Sequence, residues 1–208
     1  MSLAFIKDIN PSVSYALWRI DEPLELMESL YAFSEADREL FKAHKIERRR
    51  AEWLAARLAL KALMNAKGLP QQDIIKDEFG KPHVAQAQIE ISISHTKNYG
   101  AAALSHTGAV GIDIEYPRDQ IQRIARKFLH ANEANWAQND QQRLTKVWCA
   151  KEALYKLHGR TQLIFAEQLR LSHEGGVLTR GKICENGQEE EHPLHYDQID
   201  QMHLCLAY

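Results

Sequence analysis

Hydrophobic and polar positions along the first third of the chain predict one strand followed by helices. The run VSYALWRI over 13–20 is typical of an opening strand. Ser34, with Asp37 three residues later, indicates a helix N-terminus. Helical periodicity then continues, with a break near Lys45, to the Gly-Leu-Pro stop signal at 68–70.

After residue 73 the pattern changes to short alternating segments. Residues 89–94 alternate isoleucine with polar side chains, which predicts a half-buried strand. Later segments predict strands over 100–104 and 109–115 and helices over 119–129 and 141–158. The last part of the chain predicts short strands over 169–171, 177–183 and 202–208. The run Glu189-Glu190-Glu191 is expected to be solvated between these last strands.

Helices followed by an antiparallel meander occur twice along the chain, and this order predicts the fold class. It favours an α+β fold with two similar halves over a βαβ layout. The tight connection at 106–108 is a plausible boundary, so we expect domains at 1–108 and 109–208. A length of 208 residues is enough for one or two buried cores.

Composition and charge narrow the classes of partner. The net charge of −2 gives no global basic field, so we expect no nucleic-acid partner. The three cysteines are odd in number and suit a reducing compartment as free thiols. The N-terminus lacks the apolar core of a signal peptide, and the most apolar stretch, 53–64, is too short and too charged to span a bilayer. We therefore expect a cytoplasmic protein without a membrane partner.

The segment GIDIE at 111–115 carries the first candidate chemistry. On a strand, Ile112 and Ile114 would enter the core, while Asp113 and Glu115 would emerge together on the other face. Gly111 would leave open space beside them. Two adjacent carboxylates repel each other unless a cation joins them, and Mg²⁺ suits such oxygen ligands. The alternative is an edge strand with two solvated acids.

The segment WCAKEALYK at 148–156 carries the second set of candidate chemical groups. On a helix, Trp148, Glu152 and Lys156 line one face, since they are four residues apart. The simpler interpretation is an ordinary Glu–Lys pair on a surface helix. The functional interpretation is a third carboxylate for the cation and a lysine for a phosphate that the cation holds.

Together with KFLHANE at 127–133, these two segments resemble the signature of the 4′-phosphopantetheinyl transferases. Their order and their separation of about forty residues agree with that family, whose motifs are short and carry a risk of chance matches individually. The middle segment departs mildly, because Lys127-Phe128-Leu129 stands where Arg-Phe-Phe is common. Glu133 stands at the position of the family's downstream glutamate.

Upstream segments resemble the longer, Sfp-like class, which has two similar α+β halves in one chain. The turn at 79–82 is similar to the family's Gly-Lys-Pro turn, and 93–96 is similar to its Ser-His-Ser/Thr segment. Residues 50–57 resemble its arginine-bearing helix. The short AcpS-like class has one half per chain. The resemblance covers roughly residues 48–160.

The resemblance implies a reaction and a site. The family moves the phosphopantetheine arm of coenzyme A onto a serine of an apo acyl or peptidyl carrier protein and releases adenosine 3′,5′-bisphosphate. It implies a Mg²⁺ held by Asp113, Glu115 and Glu152, with Asp113, Glu152 and Lys156 as the catalytic residues. Lys156 would meet a phosphate oxygen. The base that activates the carrier serine stays open between a metal-bound water and Glu152.

The resemblance also implies contacts with the substrates. We expect the site in the cleft between the halves, a monomer, and docking of an acidic carrier on a basic rim. Arg57 is an alternative to Arg50 on the arginine-bearing helix. The expected coenzyme A contacts are Arg50, Lys81, Pro82, His95, Thr96 and Lys156, and the expected rim residues are Arg123, Arg126 and Lys127.

Three alternatives remain at this point. The chain could be a non-catalytic relative that binds coenzyme A or a nucleotide, or a protein-interaction module on the same fold. A transition-metal site is a third hypothesis, although its spacing fits no familiar structural zinc pattern. Its candidate ligands are His192, His195, His203 and Cys205.

Overall fold

A computed structural model describes residues 2–85, 88–160 and 162–208. The chain forms two compact units, residues 1–108 and 109–208. Each contains helices and an antiparallel sheet, which confirms the α+β class. Among the described residues, no helix has the length and apolar character needed to cross a membrane.

Unit 1 has a four-stranded antiparallel sheet in the order β1-β2-β6-β5 and a two-stranded sheet of β3 and β4. The break near Lys45 is confirmed, and Ser34 caps the second helix by accepting a hydrogen bond from the Asp37 amide. The elements are β1 (Leu3–Asp8), β2 (Val13–Arg19), α1 (Leu24–Ser29), α2 (Glu35–Ala43), α3 (Glu47–Ala66), β3 (Ile74–Lys76), β4 (Pro82–Val84), β5 (Glu90–Thr96) and β6 (Tyr99–Ser105).

The core of unit 1 lies between α3 and the face of β2 and β6. Small residues let the helix approach closely, since a Cβ added at Gly100 would lie 2.2 Å from the Ala56 nitrogen. Inside this core, Arg57 of α3 pairs with Asp37 of α2 at 3.3 Å and lies over the Trp53 ring. Apolar packing and one buried ion pair therefore hold α3 in place.

Unit 2 has a five-stranded antiparallel sheet in the order β7-β11-β10-β9-β8. Its long helix, α6, begins at the Asp140 cap and ends at Gly159, whose φ of 74° is left-handed. The elements are β7 (Gly111–Glu115), α4 (Gln120–Phe128), α5 (Ala131–Ala137), α6 (Gln141–His158), α7 (Phe165–Gln168), β8 (Leu169–Glu174), β9 (Val177–Glu185), β10 (Gln188–Ile199) and β11 (Met202–Ala207).

The two units share a topology. In unit 1, β2 pairs antiparallel with the last strand, β6, and a long helix precedes the final strands. In unit 2, β7 pairs antiparallel with the last strand, β11, and α6 occupies the same place in the order. The similarity lies in the order in which the elements follow and pair with one another.

Three expectations about local structure were wrong or incomplete. The Glu189-Glu190-Glu191 run lies within β10, where Glu189 pairs with Lys182 across the sheet. Cross-strand lysine and arginine partners let this charged run form an exposed strand. The strand at 90–96 is covered on both faces, because Ser92 and Ser94 are buried together with Ile91. The elements that were not predicted are β1, α1, β3, β4, α5, α7 and β10.

Candidate active site

Asp113 and Glu115 lie on the face of β7 that α6 covers. The expected open space at Gly111 is wrong, because a Cβ there would lie 1.9 Å from the Ala153 carbonyl oxygen and 2.5 Å from the Leu157 nitrogen. The absent side chain lets the α6 backbone lie directly against the strand. Alternation along β7 then turns the two carboxylates toward the same helix.

A close ion pair in the site joins Asp113 to Lys156. The Lys156 ammonium donates to Asp113 Oδ1 at 2.7 Å and to the Ile112 carbonyl at 3.1 Å. Asp113 is 5% exposed, so its charge is kept in a poorly solvated place beside a cation. The lysine sits one turn after Glu152 on α6, as the spacing of the motif requires.

Glu115, at the end of β7, lies among donors. Trp148 Nε1 donates to Glu115 Oε1 at 3.2 Å, and Arg118 donates to Oε2 at 2.7 Å. Burial raises the pKa of Glu115 and the charge of Asp113 raises it further, although Arg118 and the Trp148 hydrogen bond act in the opposite direction. The carboxylate is thus oriented but remains electrostatically strained.

Glu152 has the most perturbed carboxyl of the three. Burial is the largest cause and the charge of Asp113 the next, and together they raise its pKa from 4.5 to about 7. Glu115 adds to this repulsion, and Lys156 partly offsets it. The three acids therefore share one electrostatic environment, in which Lys156 and Arg118 only partly offset the mutual repulsion.

The chemistry of these donors fits a hard divalent cation. Carboxylate oxygens are the ligands that Mg²⁺ prefers, and a cation would relieve the repulsion that raises the pKa values. In the part of the chain that the structure describes, no group of three or more His, Cys, Asp or Glu side chains is already arranged around a metal position.

The arginines expected to contact coenzyme A are engaged elsewhere in unit 1. Arg50 donates to the His44 carbonyl at 2.7 Å and lies over the Phe41 ring. Arg57 is buried with Asp37, as described above. Both residues lie on α3, but tertiary contacts turn them to different partners.

The remaining expected contacts lie at the two ends of β5. The Lys81 ammonium pairs with Glu90, the first residue of β5, at 3.1 Å, and Pro82 begins β4. His95 and Thr96 are the last two residues of β5. A strand rises about 3.3 Å per residue, so Glu90 and His95 are about 17 Å apart along it.

Sequence reasoning missed the ion pair between Lys151 and Glu133. The fully buried Lys151 ammonium contacts Glu133 at 2.7 Å and donates to the carbonyls of Phe128 and Phe165. Glu133 in turn accepts from the Leu171 amide. Lys151 thereby ties α6 to α4, α5 and α7. Two features of the sequence could have indicated this ion pair: the lysine that precedes Glu152 in the WCAKEALYK segment, and the glutamate at 133.

The hypothesis of a transition-metal site is not supported by the placement of its residues. His192 faces Glu190, and His195 contacts Asp197. His203 lies between the Tyr196 hydroxyl and the Gln142 amide oxygen. The histidines have separate partners, and burial holds the pKa of His203 at about 4, so a neutral, hydrogen-bonded side chain is favoured.

Family models match both units of the chain. Residues 36–105 match the 4′-phosphopantetheinyl transferase N-terminal domain, and residues 109–205 match the 4′-phosphopantetheinyl transferase superfamily. The second match contains β7 and α6, and therefore the four residues of the site just described.

Curated relatives agree with these matches. The chain is 33% identical over 114 residues to the 4′-phosphopantetheinyl transferase gsp of Aneurinibacillus migulanus, covering 51% of this chain and 47% of that protein. It is 32% identical over 150 residues to a putative 4′-phosphopantetheinyl transferase of Haemophilus influenzae, covering 66% and 61%. It is 27% identical over 161 residues to the 4′-phosphopantetheinyl transferase HetI of Nostoc, covering 69% and 68%.

The chain thus spans about half to two thirds of the length of these relatives. Two family models lie end to end over most of the sequence, and the shared topology of the two units agrees with the two-halved architecture expected from the motifs. From this agreement of sequence and fold, the chain belongs to the 4′-phosphopantetheinyl transferase superfamily.

Proposed function

We propose that this protein is a 4′-phosphopantetheinyl transferase that acts on an apo acyl or peptidyl carrier protein. It would move the phosphopantetheine arm of coenzyme A onto a carrier serine and release adenosine 3′,5′-bisphosphate. The observation that carries the proposal is the grouping of Asp113, Glu115, Glu152 and Lys156 between β7 and α6. This grouping lies within the region that matches the superfamily.

Phosphoryl transfer depends on positioning and on neutralising charge more than on covalent chemistry with the protein. Lys156 supplies a cation at a partly exposed position, with a side-chain exposure of 28%. We propose that its ammonium binds a phosphate oxygen of coenzyme A while Asp113 keeps it in place. Such a preorganised charge stabilises the developing negative charge on the leaving phosphate.

We propose that Asp113, Glu115 and Glu152 hold a Mg²⁺ ion. Bound there, the ion would supply positive charge to the diphosphate of coenzyme A. Trp148 and Arg118 would orient Glu115 for this role through the hydrogen bonds that they donate.

The proton of the carrier serine needs an acceptor as the serine oxygen bonds to phosphorus. The bond from phosphorus to the oxygen of adenosine bisphosphate breaks in the same step. Glu152 is our candidate for the acceptor. A cation held by the three acids would offset the repulsion that raises its pKa, so its carboxylate would be ionised and able to accept the proton.

We propose that Lys81, Pro82, His95 and Thr96 contribute contacts to coenzyme A from unit 1. Arg50 would have to leave the His44 carbonyl in order to join them. The exposed basic side chains of α4 are our candidates for docking the carrier, which we expect to be acidic. A monomer and a cytoplasmic location, which free thiols suit, complete the proposal.

The test is transfer from coenzyme A to a panel of apo carrier proteins of fatty acid, polyketide and nonribosomal peptide type. Mass spectrometry of the intact carrier would show the gain of one phosphopantetheine group. We expect transfer with Mg²⁺, loss of transfer with a chelator, and loss with Asp113→Asn. Glu174→Gln, an exposed change of the same charge, is the matched control.

Two outcomes would contradict the proposal. Binding of coenzyme A without transfer to any carrier would favour a non-catalytic relative. Failure to bind coenzyme A with or without Mg²⁺ would favour a protein-interaction module.

A further inference from the structure

Three basic side chains of unit 1 gather around one buried carboxylate, that of Glu52 on α3. Arg49 contacts it at 2.7 Å, Arg48 at 3.4 Å and His95 at 3.7 Å. The Glu52 side chain is 2% exposed, whereas those of Arg48, Arg49 and His95 are 57%, 52% and 39% exposed. We call these three basic residues the α3–β5 cluster.

The local structure explains how the cluster forms. Arg48 and Arg49 precede Glu52 by four and three residues, so all three side chains lie on neighbouring positions of α3. His95 reaches the same carboxylate from β5. A buried carboxylate is stable only when it is paired, and the contact with Arg49 already supplies a charge-assisted hydrogen bond.

The cluster therefore holds more positive charge than Glu52 needs. Two guanidinium groups against one carboxylate leave a net positive charge at a half-exposed surface, even with a neutral imidazole. The cluster also lies in the first turns of a twenty-residue helix, where the helix dipole favours anions. Arginine suits planar, bidentate recognition of phosphate. A phosphate group is the ligand that this arrangement fits.

We propose that Glu52 is a positioning residue, which holds Arg48, Arg49 and His95 as one binding cluster for a phosphate group of coenzyme A. The identity of the ligand rests on the proposed function, and the rest of the inference does not. It replaces the expected Arg50 with its two neighbours, because Arg50 is turned toward the His44 carbonyl. Glu52 acts through the cluster and has no contact with the ligand itself.

The direction in which Glu52→Gln changes the affinity for coenzyme A distinguishes a positioning role from a purely electrostatic one. Removal of a negative charge next to an anion site should tighten anion binding if charge alone matters. If Glu52 positions the cluster, the variant loses the ion pairs that orient it, and coenzyme A binds about tenfold more weakly. Calorimetric titration of the full chain with coenzyme A measures the difference.

Two ligands show which phosphate is bound. Weaker binding of coenzyme A with unchanged binding of 3′-dephospho-coenzyme A assigns the 3′-phosphate to the cluster. Equal weakening of both assigns the diphosphate. Either result supports the inference, and unchanged or tighter binding of coenzyme A by Glu52→Gln overturns it.

Controls keep folding apart from positioning. Glu25→Gln, an exposed change of the same charge in unit 1, should bind coenzyme A as the wild type does. Arg48→Gln, at an exposed side chain, should leave thermal stability unchanged and still weaken coenzyme A binding, by about threefold or more. In the transfer assay, Glu52→Gln should raise KM for coenzyme A and leave kcat within about twofold.

The two proposals can fail separately. Transfer by the wild type with normal coenzyme A binding by Glu52→Gln would overturn this inference and leave the proposed function standing. Weaker coenzyme A binding by Glu52→Gln, together with no transfer by the wild type to any carrier, would support this inference and contradict the proposed function. A wild-type protein that binds no coenzyme A would contradict both.

Discussion

The two units secure their long helices in the same way. In each, the third residue of a short helix is acidic and pairs with a buried basic side chain on the long helix: Asp37 with Arg57, and Glu133 with Lys151. In each, a glycine on a central or edge strand admits the backbone of that helix. A buried ion pair and a close glycine contact therefore anchor the long helix in each unit.

The faces that the long helices cover differ in chemistry. In unit 1, the face of β2 and β6 toward α3 carries apolar side chains, including Ala16, Trp18 and Ala102. In unit 2, the corresponding face carries Asp113 and Glu115. Both units therefore bury an apolar core beneath the long helix, and unit 2 adds a strained group of carboxylates at the edge of that core. Carboxylates whose mutual repulsion destabilises the fold are typical of functional sites.

The largest expected effects come from the two buried ion pairs. Arg57→Met and Lys151→Met each leave an unpaired buried carboxylate, so we expect a loss of about 3–5 kcal/mol in the free energy of unfolding. Urea denaturation measures it. Lys182→Met, which removes an exposed partner of Glu189, should change the free energy of unfolding far less, because solvent screens an exposed pair. Equal effects for buried and exposed pairs would contradict the shared anchoring.

The close approach of helix and strand is tested by Gly100→Ala and Gly111→Ala. Each added Cβ would overlap backbone atoms that cannot rotate away, so we expect each change to cost about 3 kcal/mol. Gly108→Ala, where nothing lies within 4 Å of the added Cβ, should change the free energy by less than about 0.5 kcal/mol. Thermal and urea unfolding of the three variants would show whether both units depend on this contact.

The strained carboxylates should make unit 2 sensitive to pH. A carboxyl whose pKa rises from 4.5 to about 7 on folding stabilises the fold only while it is protonated. That contribution is lost as the pH rises through about 7. With a chelator present, Glu152→Gln should therefore be more stable than the wild type by up to about 3 kcal/mol at pH 8, and similar to it at pH 4.

The matched variant for this pH series is Glu174→Gln, which is exposed and should follow the wild type throughout. A constant difference between Glu152→Gln and the wild type from pH 4 to pH 8 would show that Glu152 is not strained.

The smallest effect concerns the orientation of Glu115. Trp148→Phe removes the Nε1–H donor, and we expect a cost of about 1 kcal/mol in the free energy of unfolding. A double-mutant cycle with Glu115→Ala, which removes the acceptor, isolates the contact. A coupling energy near zero would mean that Trp148 acts by packing alone.

Much of the fold was readable from the sequence because local signals and global structure agree. The Ser34 cap, the break near Lys45 and the shared face of Asp113 and Glu115 all appear as expected. The strand β1 was missed because its side chains are only partly buried and show no clear alternation. The charged strand β10 was missed because its partners lie on β9, which periodicity along one segment cannot show.

Within the candidate site, the spacing of residues along a motif indicated which side chains share a face of a strand or helix. It could not indicate which groups from other elements contact that face. The two motifs were enough to select Asp113, Glu152 and Lys156. The contact between Asp113 and Lys156 forms where β7 packs against α6. Tertiary packing decided the rest. It filled the space at Gly111, turned Arg50 away and gathered Arg48 and Arg49 at Glu52.

Calorimetric titration of Mg²⁺ at pH 8, with coenzyme A present, tests most directly whether the three acids share one cation. We predict one Mg²⁺ per chain for the wild type and Glu174→Gln. For Asp113→Asn, Glu115→Gln and Glu152→Gln, loss of one ligand should weaken binding about tenfold or more. Wild-type affinity in all three variants would contradict the assignment.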